Sequence, residues 1–189
     1  MIDYSYAETG NLSTTFKNTQ ILTTKLVTKM LTMNNQKGVY SLLIQLEVEM
    51  PIQVGKLGRF HFSPGFYVYT GSAMGNGASS LRGRIMRHLS DKKKNFWHID
   101  YFLSCKFSKI LSVVFAETVK NREHDVVNII KKNAEVVCRK FGASDCRRKC
   151  VSHLLYLGQN PHKNLELIKG AYRELGLEPV IFVPPENKG

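Results

Sequence analysis

The sequence predicts a mixed α/β domain of the α+β kind, on three patterns. Residues 38–48 alternate, with Tyr40, Leu42, Ile44, Leu46 and Val48 on one parity and Ser41, Gln45 and Glu47 on the other. A half-buried strand has that period of two. Residues 52–54 and 59–62 flank Gly55-Lys56-Leu57-Gly58, a hairpin with a glycine-rich turn. Two stretches have helical spacing instead: Ala78, Leu81, Ile85 and Leu89, then Leu165, Ile168, Tyr172 and Leu175.

The remaining elements follow in order. Pro64-Gly65 turns the chain into a strand over residues 66–70, and a small-residue loop follows, from which Ser79 or Ser80 can cap the first helix. Arg84 and His88 lie one turn apart on that helix, beside its apolar stripe, and can point together into a cleft. Residues 97–103 are apolar enough to be buried as helix or strand; in a strand, His98 and Asp100 would face the same way. Residues 110–116 form a central strand. Asn121 then offers an N-cap for a helix running to about residue 133 with Val126, Val127, Ile129 and Ile130 inward. Glu123 falls on that inward stripe and Asp125 away from it. A carboxylate aligned with apolar residues needs a cation or a strong donor. Residues 153–157 are expected to be the last strand, and residues 179–183 an extended tail.

The expected organisation is an N-terminal extension over residues 1–36, disordered or a docking helix, a central domain over 37–158, and a C-terminal helix and tail over 159–189. No run reaches the roughly 20 apolar residues of a membrane span. The N-terminus also lacks the features of an export signal, so a cytoplasmic location is expected.

The charge points to a partner. Twenty-seven Lys and Arg against fifteen Asp and Glu give a net charge of +12. At this size a polyanion is the natural ligand. The basic residues cluster: Arg82, Arg84, Arg87, Lys92, Lys93 and Lys94 in one group, Arg139, Lys140, Arg147, Arg148 and Lys149 in another. Such runs can also be plain solvated surface. Four cysteines without an export signal argue against a disulfide framework. Cys138, Cys146, Cys150 and His153 bring sulfur and imidazole together as a possible zinc set, although no paired C-x2-C knuckle is present. Semi-buried thiols, or a Cys146 nucleophile with Asp145 and His153, are the alternatives.

Gly38-Val39-Tyr40, Tyr69-Thr70-Gly71 and Leu81-x-x-Arg84-x-x-x-His88, in that order, resemble the GIY-YIG endonuclease superfamily. Within it the chain is most similar to a poorly characterised, mainly prokaryotic branch that carries Gly-Ser-Ala, here Gly71-Ser72-Ala73, a Trp-His-Ile-Asp-Tyr segment, here residues 97–101, and a Gly-x-Ser-Asp-Cys run, here residues 142–146. The resemblance covers roughly residues 37–158. It implies a small, central, largely antiparallel sheet flanked by helices, and metal-dependent hydrolysis of a nucleic-acid phosphodiester, DNA favoured. It implies Tyr40 and Tyr69 in the pocket, Arg84 on the phosphate and Glu123 as the ligand of one Mg2+ or Mn2+. His88 can hydrogen-bond a phosphate or a tyrosine, and His98 and Asp100 are supporting candidates. Tyr40 and Tyr69 stand farther apart than the usual compact pair, so the hairpin between them has to be accommodated. A protein partner for targeting fits the lack of any sequence-reading helix. A basic nucleic-acid-binding module without catalysis and a zinc-stabilised interaction domain are the rival readings.

Overall fold

In the computed structural model, residues 35–144, 146 and 148–185 are described. The expectations for residues 1–34, Asp145 and Arg147 lie outside them. A five-stranded sheet is built from β1 (Gly38–Leu46), β4 (Gly65–Ala73), β5 (Ser108–Glu117), β6 (Leu154–Gly158) and β7 (Val180–Phe182). Its order is β6-β4-β1-β5-β7 and every neighbouring pair is antiparallel. The hairpin β2 (Met50–Gln53) and β3 (Arg59–Phe62) forms a separate two-stranded sheet. It therefore bulges out of the β1–β4 connection without parting those strands, which pair along their whole length from Gly38↔Ala73 to Leu46↔Gly65.

Helices α1 (Leu81–Leu89), α2 (His98–Leu103), α3 (Glu123–Ile130) and α4 (Pro161–Glu174) cover the sheet. One core holds Tyr40, Leu42, Ile44, Tyr67, Tyr69 and Phe115 against Leu81 and Ile85 of α1, Ile99 and Phe102 of α2, and Phe62 of the hairpin. The other holds Val39, Leu43, Val68, Val114 and Ala116 against α3 and α4 through Val126, Val127, Ile130, Ile168 and Tyr172. Ser80 caps α1, its Oγ accepting from Gly83 N at 3.1 Å. Among the described residues no helix is long and apolar enough to cross a membrane.

Some details depart from the sequence reading. β1 is covered on both faces rather than one: Ser41 is fully buried because its hydroxyl is satisfied by Thr70 Oγ1 at 2.9 Å and Tyr172 Oη at 3.0 Å. Residues 180–182 are not a trailing tail but strand β7, paired with β5, and so β6 is not the last strand. Of the two options left open for residues 97–103, the structure takes the helix, over 98–103, and so His98 and Asp100 do not share a face as they would in a strand.

Candidate functional site

The register of β1 and β4 sets Tyr40 opposite Gly71 and Tyr69 opposite Leu42, so the two tyrosines stand diagonally on one face of adjacent strands. Both are nearly buried, Tyr40 at 1% and Tyr69 at 8% exposure. Arg84 on α1 and Glu123, the first residue of α3, join them in lining a cleft of about 310 Å³. Glu123 reaches that cleft although its helix packs on the opposite face of the sheet, and Gly71 and Ser72 line it too.

His88 is not exposed to the cleft. It is 2% exposed, and its Nε2 lies 2.9 Å from the Tyr40 hydroxyl. The rings of Tyr40, Tyr69 and Trp97 surround it, with centroids at 5.5, 6.0 and 5.9 Å. Burial pushes its imidazole down to about 3, with Asp100 opposing that fall. The ring is thus neutral. Burial likewise raises both phenols, and the Arg84 guanidinium nearby resists the rise at each. Arg84 itself stacks over Trp97, its Cζ 4.9 Å from the ring centroid, and its buried Nε has no hydrogen-bond partner. A guanidinium with an idle donor beside two phenols and a carboxylate is suited to an oxyanion such as phosphate.

The basic residues separate into structural and available groups. Arg87, expected among the nucleic-acid contacts, donates to both carboxylate oxygens of Asp100, at 2.7 and 2.9 Å, and lies 4.2 Å from the Trp97 centroid. Asp100 has a fully buried side chain and also accepts from the amides of Phe96 and Trp97. Burial raises its carboxyl, but the hydrogen bonds from Arg87 and these amides outweigh that and hold it below the ordinary value. It braces the N-terminus of α2, and its charge is felt at His88, Tyr40 and Tyr69. Lys93 is occupied as well, donating to His88 O and Ser90 O at the end of α1. Lys92 and Lys94 are exposed, and Arg82 is half-buried. Arg148 is exposed but pairs with Asp125 at 3.1 Å, and Asp125 also meets Arg122 at 3.0 Å. His98 lines the cleft and its Nδ1 accepts from Gly142 N at 3.0 Å.

The expected cysteine set also needs correcting. Cys138 is fully buried in the first core, its thiol pushed up to about 11 by burial. Among the described residues it is not one of the grouped metal-type donors. His124 stands in its place: His124, Cys146, Cys150 and His153 each offer one donor atom, all within 4.8 Å of one another. This group can hold a metal ion, and sulfur and imidazole donors suit zinc far better than magnesium. Sequence reasoning missed His124, although it precedes the inward Val127 by three residues and follows the singled-out Glu123. Phe96 was missed too: it lines the cleft yet is 77% exposed, an aromatic ring left in solvent at the rim.

Fold and site together define an antiparallel α+β domain with a polar cleft bounded by two tyrosines, an arginine and a glutamate, and a histidine-cysteine cluster beside it. The chain belongs to the family described as a domain of unknown function, DUF123, which matches residues 39–177. Comparison with curated proteins and with solved structures gave no match.

Proposed function

We propose that this protein is a metal-dependent endonuclease of the GIY-YIG type, hydrolysing phosphodiester bonds of nucleic acid, DNA favoured. The observation that carries the reading is that Tyr40, Tyr69, Arg84 and Glu123 line one cleft. The basic surface of a +12 chain supports it by favouring a polyanionic substrate. The residues fit a hard divalent cation: Glu123 supplies a carboxylate at the cleft, and magnesium commonly takes only one or two protein carboxylates with water and phosphate completing its shell. Mg2+ or Mn2+ held there would supply Lewis-acid stabilisation of the departing oxygen.

The chain's own groups do the rest. Arg84 binds the scissile phosphate with its planar fork and offsets charge that grows in the transition state. Tyr69 orients the phosphate or the attacking water. Tyr40 orients the attacking water, its hydroxyl held by the 2.9 Å hydrogen bond to His88 Nε2, and the water's proton leaves by way of a phosphate oxygen. Burial keeps Tyr40 protonated and His88 neutral, so the phenol orients the water rather than taking its proton. The test is cleavage of plasmid, branched and single-stranded DNA, and of RNA, with Mg2+ or Mn2+. Tyr40→Phe, Arg84→Ala and Glu123→Ala should each lose about 10²-fold or more while remaining folded. Three fully active variants would remove the assigned site. Salt-sensitive binding with no metal-dependent turnover would leave a binding module in its place.

A further inference from the structure

We infer that His124, Cys146, Cys150 and His153 bind one zinc ion that fastens the loop over residues 139–153 to the first turn of α3 and so fixes one wall of the cleft. His124 Nδ1 lies 3.1 Å from Cys150 Sγ and 3.4 Å from Cys146 Sγ. Tetrahedral zinc, with bonds of about 2.3 Å to sulfur and 2.0 Å to nitrogen, sets neighbouring donor atoms roughly 3.3–3.8 Å apart. The 3.4 Å separation lies within that range and the 3.1 Å one falls just short of it, so one nitrogen facing two sulfurs comes close to the arrangement of ligands round a common cation. The amide of Cys150 also points at Cys146 Sγ, at 3.5 Å, where it would support a thiolate. With four protein donors and the histidines largely buried, the site is closed, which is the structural rather than the catalytic form. Binding turns both thiols into thiolates and releases their two protons to solvent.

The loop gives the metal its purpose. Among its described residues it has no helix or strand, yet Gly142, Ser144 and His153 line the cleft. On the helix side, Glu123 Oε1 lies 3.4 Å from His124 Nε2, across the ring from the ligating Nδ1. A carboxylate behind a zinc-bound histidine fixes its orientation. Glu123 has two oxygens, one to steady His124 and one to face the cleft. Only this last coupling depends on the hydrolytic reading; the zinc assignment stands apart from it.

The experiment is elemental analysis of the full chain purified without chelator, together with absorption spectra after cobalt replacement. Equimolar zinc, and a cobalt spectrum with thiolate charge transfer and intense tetrahedral visible bands, are expected. Cys146→Ser, Cys150→Ser and His124→Ala should fall to background metal, while Cys138→Ala keeps a full complement. A folded, zinc-free chain, a Cys146–Cys150 disulfide, or a sulfur-free octahedral cobalt spectrum from the unaltered protein would overturn the inference, whether or not the variants fold. Tyr40→Phe separates the two proposals: it should hold its zinc and lose cleavage. Zinc-loaded protein that cuts nothing sinks only the nuclease, and a zinc-free chain that cuts with Mg2+ sinks only the zinc.

Discussion

The Tyr40 hydroxyl lies directly over Gly71: a Cβ at that glycine would stand 2.5 Å from the oxygen and 2.7 Å from Cζ. The two residues face each other across β1 and β4, so the glycine is what allows the buried phenol to lie flat across the neighbouring strand and reach the cleft. Gly71→Ala should therefore displace Tyr40, costing about 1–3 kcal/mol in urea unfolding, with lower cleavage. Gly71→Ala/Tyr40→Phe should cost less than the sum of the two single changes, because the nearest clashing atom is gone. Strictly additive penalties would show that the tyrosine is free to move aside.

His88 should make stability depend on pH in a definite window. Its folded value is depressed to about 3 from 6.5 by burial, with Arg87, Lys93 and Arg84 adding to the fall and Asp100 opposing it. Below pH 6.5 the unfolded chain takes up a proton that the folded chain refuses, so stability rises with pH from about 3 to 6.5 and is flat above. The slope of this one group approaches about 1.4 kcal/mol per pH unit. His88→Gln keeps a hydrogen-bonding group beside Tyr40 but cannot titrate. Urea midpoints across pH 4–8, with metal content held fixed, should be less steep in the variant; parallel curves would place the titration elsewhere.

How far the sequence could be read depends on what each residue answers to. The parity of Tyr40 to Leu46 foretold β1, because burial on one face imposes period two whatever lies beyond. It could not foretell that Ser41 is buried as well, since that depends on a hydroxyl from Tyr172, 131 residues on. The stripe of α3 drew attention to Glu123, which lines the cleft, but its neighbour His124 entered no pattern because its partners, Cys146 and Cys150, approach only through the folded loop. Charge runs say least about which partner each residue takes. Arg87 stands among basic residues in the sequence, yet its partner Asp100 lies thirteen positions away on another helix.

That pair gives a third prediction. Arg87→Met would leave the fully buried Asp100 carboxylate with its two backbone amides but no cation. Removing one partner of a buried ion pair typically costs about 3–5 kcal/mol. Because Asp100 is held below its ordinary 3.8, its contribution is present above that value and is lost as pH falls through the lower folded value. Arg87→Met should thus lower the urea midpoint at neutral pH, with a smaller deficit in strong acid. The salt dependence of nucleic-acid binding by the folded variant should be unchanged. A reduced salt slope would instead make Arg87 a phosphate contact.

The rim of the cleft supplies the last expectation, which bears on the form of the substrate. Phe96, 77% exposed, lines the cleft next to Trp97, and the exposed Lys92 and Lys94 lie just before it in the chain. An aromatic face in solvent beside cations is the arrangement that holds an unstacked base over a tracked backbone. Phe96→Ala should weaken binding of single-stranded or branched DNA by about 1–3 kcal/mol and leave fully paired duplex nearly unaffected. Lys92→Gln and Lys94→Gln should weaken all three similarly and each lower the salt slope by about one. Filter binding or fluorescence anisotropy over a salt series distinguishes these effects. Equal losses on duplex and single strand for Phe96→Ala would mean that the ring packs against the sugar-phosphate chain instead of a base.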